Sequence, residues 1–92
     1  MIVAYTKQFV SDVENYPLNK KRILEVIESL KKADSLSQIR NIKKLKAPGY
    51  NYRLRIGYFR IGFTVSDHKI ILKRVLHRKD IYKFFPWFDF RK

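Results

Sequence analysis

The spacing of apolar residues along this chain changes from helical to alternating near its middle. The opening "MIVAY" is a short apolar run of strand type. In "TKQFVSDVENY", Phe9, Val10 and Val13 fall on one helical face, Thr6 stands where an N-cap belongs, and Pro17 stops the segment. "LNKKRILEVIESLKKA" predicts the clearest helix, because Leu18, Ile23, Val26, Ile27 and Leu30 form an apolar stripe with Lys and Glu opposite. Asn19 is placed to cap it, and Lys31 and Lys32 suit its negative C-terminal end. "DSLSQIRNIKKLKAPGYN" reads as a connector. Its Leu36, Ile39, Ile42 and Leu45 recur every third residue, so it holds a helical turn or lies along the core, and Pro48-Gly49 marks a turn.

The second half follows strand spacing. "YRLRI" alternates, with Tyr52, Leu54 and Ile56 on one side and Arg53 and Arg55 on the other. Gly57-Tyr58 is a tight turn. "FRIGFTV" alternates again, with Phe59, Ile61, Phe63 and Val65 set against Arg60, Gly62 and Thr64. "SDHK" is a turn, and "IILKRVLH" is a third strand with apolar residues on both faces. "RKDIYKFF" suits a last short helix before Pro86, and "WFDFRK" is an aromatic tail. The pattern predicts one α+β domain over residues 1–92. It comprises an N-terminal strand, a two-helix hairpin and a three-stranded antiparallel meander, with helices on one face of the sheet and the other face bare.

Composition narrows the setting. Of 92 residues 46% are hydrophobic, enough for a packed core. The chain has no cysteine, which excludes disulfides and thiolate metal sites. No apolar run approaches the roughly 18 residues needed to span a bilayer, and the N-terminus lacks the order of a signal peptide. A soluble, cytoplasmic protein is expected. The charge is the larger signal: 21 Lys and Arg against 8 Asp and Glu leave +13. A small domain so charged attracts polyanions, whether nucleic acid, an anionic membrane surface or an acidic protein. The 15% aromatic content supplies a core and leaves rings for base stacking.

Strand parity places the candidate chemistry. If the apolar sets of the first two meander strands meet the helices, Arg53, Arg55 and Arg60 share the opposite face, with Gly62 leaving room beside Arg60. That face is either a solvated surface or a cradle for an anion, since a guanidinium presents a planar fork of donors matched to phosphate. A second cluster, "HRKDIY", brings His77, Arg78 and Tyr82 near the last strand's end. His, Arg and Tyr beside an arginine-lined sheet suit cleavage of RNA without metal. That reaction needs a base for the 2′-OH, an acid for the 5′-oxygen and cations for the charged phosphorane. His68, in a turn, looks solvated. There is no HExxH, no glycine-rich phosphate loop and no carboxylate cluster, so a metal nuclease is set aside and no metal or cofactor is expected.

The order of elements and two motifs resemble the RelE/ParE toxin superfamily of toxin–antitoxin modules. "YRLRIGYFRIGFTV" is similar to that superfamily's "yRvRvGdyRviy" strand pair, and "VLHRKDIY" to its "vgHRkdvY" ending. The resemblance implies a curved, largely antiparallel sheet. In the RelE-like branch it implies a toxin that cleaves mRNA on the ribosome without metal. Arg53 and Arg55 then match a substrate-binding basic pair and Arg60 the arginine of the scissile phosphate. His77 or Arg78 matches the basic acid/base position, and Tyr82 the C-terminal tyrosine. It further implies a cognate antitoxin with an acidic segment, and no membrane partner. Two readings compete: a ParE-like gyrase-inhibiting toxin without nuclease activity, and a non-catalytic RNA-binding module. The chain departs from the pattern at Tyr58-Phe59 and in "PWFDFRK", an aromatic tail that the pattern does not place and for which covering the site and docking a partner are both open roles.

Overall fold

One side chain, Thr6, ends the first strand and starts the first helix. Its Oγ1 accepts the Phe9 N–H at 3.1 Å and donates to the Lys73 carbonyl at 3.1 Å, which ties the N-cap to the sheet. In this computed structural model, which describes residues 1–86, strand β1 spans Ile2–Tyr5 and helix α1 spans Lys7–Glu14. The aromatic tail beyond Pro86 lies outside the described residues. Phe9 and Val13 of α1 are buried as their spacing predicts, but Val10 is 40% exposed and Asp12 takes a buried place.

The chain enters α2 (Lys20–Lys32) through a 3-10 turn at Pro17–Asn19. That entry alters two expectations. Asn19 makes no side-chain capping bond, because its backbone is already helical at φ −105° and ψ −2°. Leu18 precedes the helix and is 97% exposed, so it is no part of the stripe. Ile23, Ile27 and Leu30 are buried, and each contributes about 1.5–3 kcal/mol by leaving water.

The connector holds a 3-10 turn at Leu36–Gln38 and a short strand, β2 (Ile42–Lys44), that period-three spacing does not reveal. Its Leu36, Ile39 and Ile42 lie half-buried along the core. β3 (Asn51–Ile56), β4 (Phe59–Ser66) and β5 (Lys69–His77) form the meander. The sheet is mixed, ordered β1-β5-β4-β3-β2, with β1 parallel to β5 and every other pair antiparallel. Leu54, Ile56, Ile61, Phe63, Ile70, Leu72 and Val75 pack against α1 and α2 on one face.

Two irregularities shape the other face. A β-bulge in β5 pairs Gly62 with Arg74 but Phe63 with Leu72, leaving Lys73 as the extra residue. Parity inverts there, so Ile70 and Leu72 face the core before the bulge and Val75 faces it after. This is why "IILKRVLH" looks apolar on both sides. It turns Leu76 to the second face, where Ile81 of the short helix α3 (Ile81–Phe84) and Phe85 bury it, with Leu45 alongside. The second face is therefore not bare. Gly62 serves this small core, since a Cβ there would overlap the Phe85 ring. Its missing side chain makes room for Phe85, not for Arg60.

The second irregularity lies at the edge of β5. β1 pairs with β5 only as far as Leu72. Beyond it, Asp12 from α1 replaces the missing strand: Oδ2 accepts the Val75 N–H at 3.0 Å and Arg74 Nε at 2.7 Å, and Oδ1 accepts Arg74 Nη2 at 3.1 Å.

Candidate functional site

The site is built on the tip of the β3–β4 hairpin. A two-residue turn, Gly57-Tyr58, closes it, and Gly57 takes the positive φ (55°) required at the first turn position. The register then sets Arg55 directly opposite Arg60, and Arg53 opposite Gly62. All three arginines point to the face away from α1 and α2. Like charges directly across a sheet repel, and Arg60 is the side chain that turns aside. Its Nη1 donates to the Gly57 carbonyl at 2.8 Å and to the Phe59 carbonyl at 2.9 Å. Among the described residues its Nε and Nη2 make no hydrogen bond, which leaves one edge of the fork open to an anion.

Burial, then Arg53 and Arg55, lower the pKa of Arg60; Tyr82 opposes the shift and Arg78 adds to it. Those four side chains are therefore the electrostatic neighbours of Arg60. The guanidinium stays a cation at neutral pH, but it holds its proton less tightly than a solvated arginine and gains more from an arriving anion.

Arg78 reaches the hairpin tip from the end of β5. Its N–H donates to the Tyr58 carbonyl at 2.7 Å, and its guanidinium carbon stands 5.3 Å from the centre of the Tyr58 ring. Between these elements opens a cleft of about 410 Å³ lined by Arg22, Asn41, Arg55, Ile56, Gly57, Tyr58, Arg60 and Arg78. Arg22 and Asn41 carry no signal in the sequence. Arg22 lies on the charged side of α2, and only the packing of α2 over the sheet brings it to the hairpin. Tyr82 is 45% exposed on α3, which packs on β4 and β5.

His77 stands apart from this group. It pairs with Phe59, whereas Arg60 pairs with Leu76, so His77 and Arg60 lie on opposite faces of the sheet. The imidazole runs parallel to the Tyr58 ring at 6.2 Å and meets Phe59 edge-on at 6.0 Å. Its Nδ1 accepts the Lys79 N–H at 3.3 Å, which puts the proton of the neutral ring on Nε2. An imidazole on that face is poorly placed to take a proton at Arg60. Among the described residues no three His, Cys, Asp or Glu side chains gather to hold a metal, and no helix is long and apolar enough to cross a membrane.

No protein-family model matches the chain. Toxin RelE3 of Methanocaldococcus jannaschii is 43% identical over 88 residues, covering 94% of this chain and all of that protein. Among solved structures, the RelB-RelE antitoxin-toxin complex from Methanococcus jannaschii superposes with a TM-score of 0.76 at 42% identity, covering 90% of this chain and 99% of that one. The archaeal RelE-RelB complex from Pyrococcus horikoshii OT3 gives 0.69 at 26% identity, over 84% and 93%.

Proposed function

The chain belongs to the RelE toxin family, and from that premise we propose that it is a metal-independent endoribonuclease that cuts mRNA on the ribosome. The observation that carries this reading is Arg60, pinned by the Gly57 and Phe59 carbonyls with its remaining donors open, among Arg53, Arg55, Arg78 and Tyr82.

In the proposed reaction the 2′-hydroxyl gives its proton to water as its oxygen attacks the adjacent phosphorus, the P–O5′ bond breaks, and the leaving 5′-oxygen takes a proton back from water, so that a 2′,3′-cyclic phosphate and a free 5′-hydroxyl result. The scissile phosphate lies against the open edge of Arg60, with Arg55 beside it. Charge on the phosphorane grows where fixed guanidiniums already point, and such preorganised stabilisation contributes most of the rate in many enzymes. Arg60 keeps its proton at neutral pH, so its part is to hold the charge of the phosphorane. Tyr82 flanks the same phosphate. The cluster is strong in cations and poor in bases, so it depends on the RNA arriving with its 2′-oxygen in line. A ribosome that holds the codon supplies that orientation. Cytoplasmic location follows from this target.

The partner proposed for the free toxin is a cognate antitoxin with an acidic segment. The two archaeal relatives of known structure named above are solved as RelE with RelB, and +13 on so small a chain favours an oppositely charged partner.

Expression of variants with primer extension on cellular mRNA tests the catalytic reading. Arg60→Ala is expected to abolish cleavage and growth arrest with the fold intact by circular dichroism. His77→Gln should cut within about tenfold of the parent, whereas a general base normally contributes at least about a hundredfold. A folded Arg60→Ala protein that still cuts removes the assignment. Growth arrest with no cut transcripts but inhibited DNA supercoiling replaces it with a gyrase target.

A further inference from the structure

Tyr58 is a large ring that the fold does not need. It occupies the second position of a two-residue turn, where a small polar residue suffices, and it is 66% exposed. Yet it is held: His77 lies parallel to it at 6.2 Å, Arg78 stands 5.3 Å from its centre, and its carbonyl is fixed by the Arg78 N–H. An aromatic ring that is oriented but left uncovered is a stacking surface, and one beside a cationic groove suits unpaired nucleic acid. Tyr58 lines the same cleft as Arg22, Arg55, Arg60 and Arg78, whose volume of about 410 Å³ falls within the range of small-ligand sites.

We propose that this cleft is a nucleotide subsite: Tyr58 stacks on the RNA base adjoining the phosphate at Arg60, and Arg22 with Arg55 holds the phosphate of that same nucleotide. The inference rests on RNA being the substrate and deepens that reading. It identifies the substrate as single-stranded at this position, because a paired base has no free face to offer. It also assigns two binding residues, Arg22 and Tyr58, that lie outside the arginines of the sheet face.

Tyr50 provides a matched control. It is 63% exposed and has Lys44 Nζ 5.0 Å from its ring centre, but it lies at the other end of β3 and lines none of the arginine cleft.

The test is equilibrium binding of the full chain to a fluorescein-labelled pentaribonucleotide by anisotropy, with each position in turn made abasic. Tyr58→Ala is expected to weaken binding about tenfold, Tyr58→Phe by no more than about twofold, and Tyr50→Ala to change nothing. One abasic position should cost the parent about tenfold and cost Tyr58→Ala nothing. Tyr58→Ala should not alter binding to a blunt RNA duplex. Arg22→Ala should reduce the slope of log affinity against log salt by about 0.7, and Lys69→Ala, at the far end of β5, should leave it unchanged. An abasic penalty that persists in full in Tyr58→Ala, or a Phe variant as weak as Ala, overturns the stacking assignment. An equal slope change in Lys69→Ala overturns that of Arg22. Binding is read without turnover, so the two proposals fail separately. A chain that shows this coupling but never cuts RNA loses the nuclease reading and keeps the subsite; one that cuts without the coupling does the reverse.

Discussion

Arg60 and Asp12 illustrate how differently single charged residues are used here. Arg60 has a folded pKa below its unfolded value, so the unfolded chain binds that proton more tightly. Its charge therefore costs stability at every pH below the folded pKa, and the cost is relieved only as pH rises through the alkaline window up to the unfolded value. Near neutrality Arg60 does not titrate, and relief must come from an anion. Inorganic phosphate at about ten times its Kd should stabilise the protein by about 1.4 kcal/mol, read as a rise in Tm, and should give no such rise in Arg60→Ala. Asp12 is the opposite case, a buried carboxylate whose hydrogen bonds from Arg74 and the Val75 N–H close the edge of β5. Asp12→Ala leaves Arg74 and the Val75 N–H without their acceptor and should cost about 3–5 kcal/mol in urea unfolding. An equal loss in Arg74→Met would show that the ion pair, not the Val75 contact, dominates. Parity placed Arg53, Arg55 and Arg60 on one face from the sequence. Nothing in the spacing of α1 marked Asp12, because its role answers a gap in a strand 63 residues away.

At the scale of elements, the alternating strands and the α2 stripe were legible because local periodicity matches what they bury. β2 was not, since three residues show no period and only pairing with β3 makes them a strand. The bulge in β5 was visible only as confusion, apolar residues on both faces, until the register with β4 explained it. That bulge, Gly62 and Phe85 act together to seat α3, and with it Tyr82, beside the arginines. Gly62→Ala should lower stability by about 1–3 kcal/mol through overpacking. In a Phe85→Ala background the same change should cost almost nothing, and thermal denaturation of the four proteins in the cycle measures the coupling. Equal costs in both backgrounds would show that Phe85 does not fill the space above Gly62.

The whole molecule carries +13, and this sets two opposite salt responses. Self-repulsion destabilises the free chain, so raising NaCl from about 0.05 M to about 0.3 M should raise its Tm as the charges are screened. The same change should weaken RNA binding steeply as fewer counterions are released. A Tm that falls with salt would mean that the charges are already paired within the fold. Charge, strand parity, the helices α1 and α2 and the family motifs were determined by the sequence itself, because each depends on residue type at short spacing. The tertiary structure alone decided that α3 covers part of the arginine face, that His77 looks away from Arg60, and that Arg22 meets Tyr58 across a cleft. Those facts depend on register, one inserted residue and the packing of a helix over a hairpin, and distances of that kind are not encoded in any local pattern.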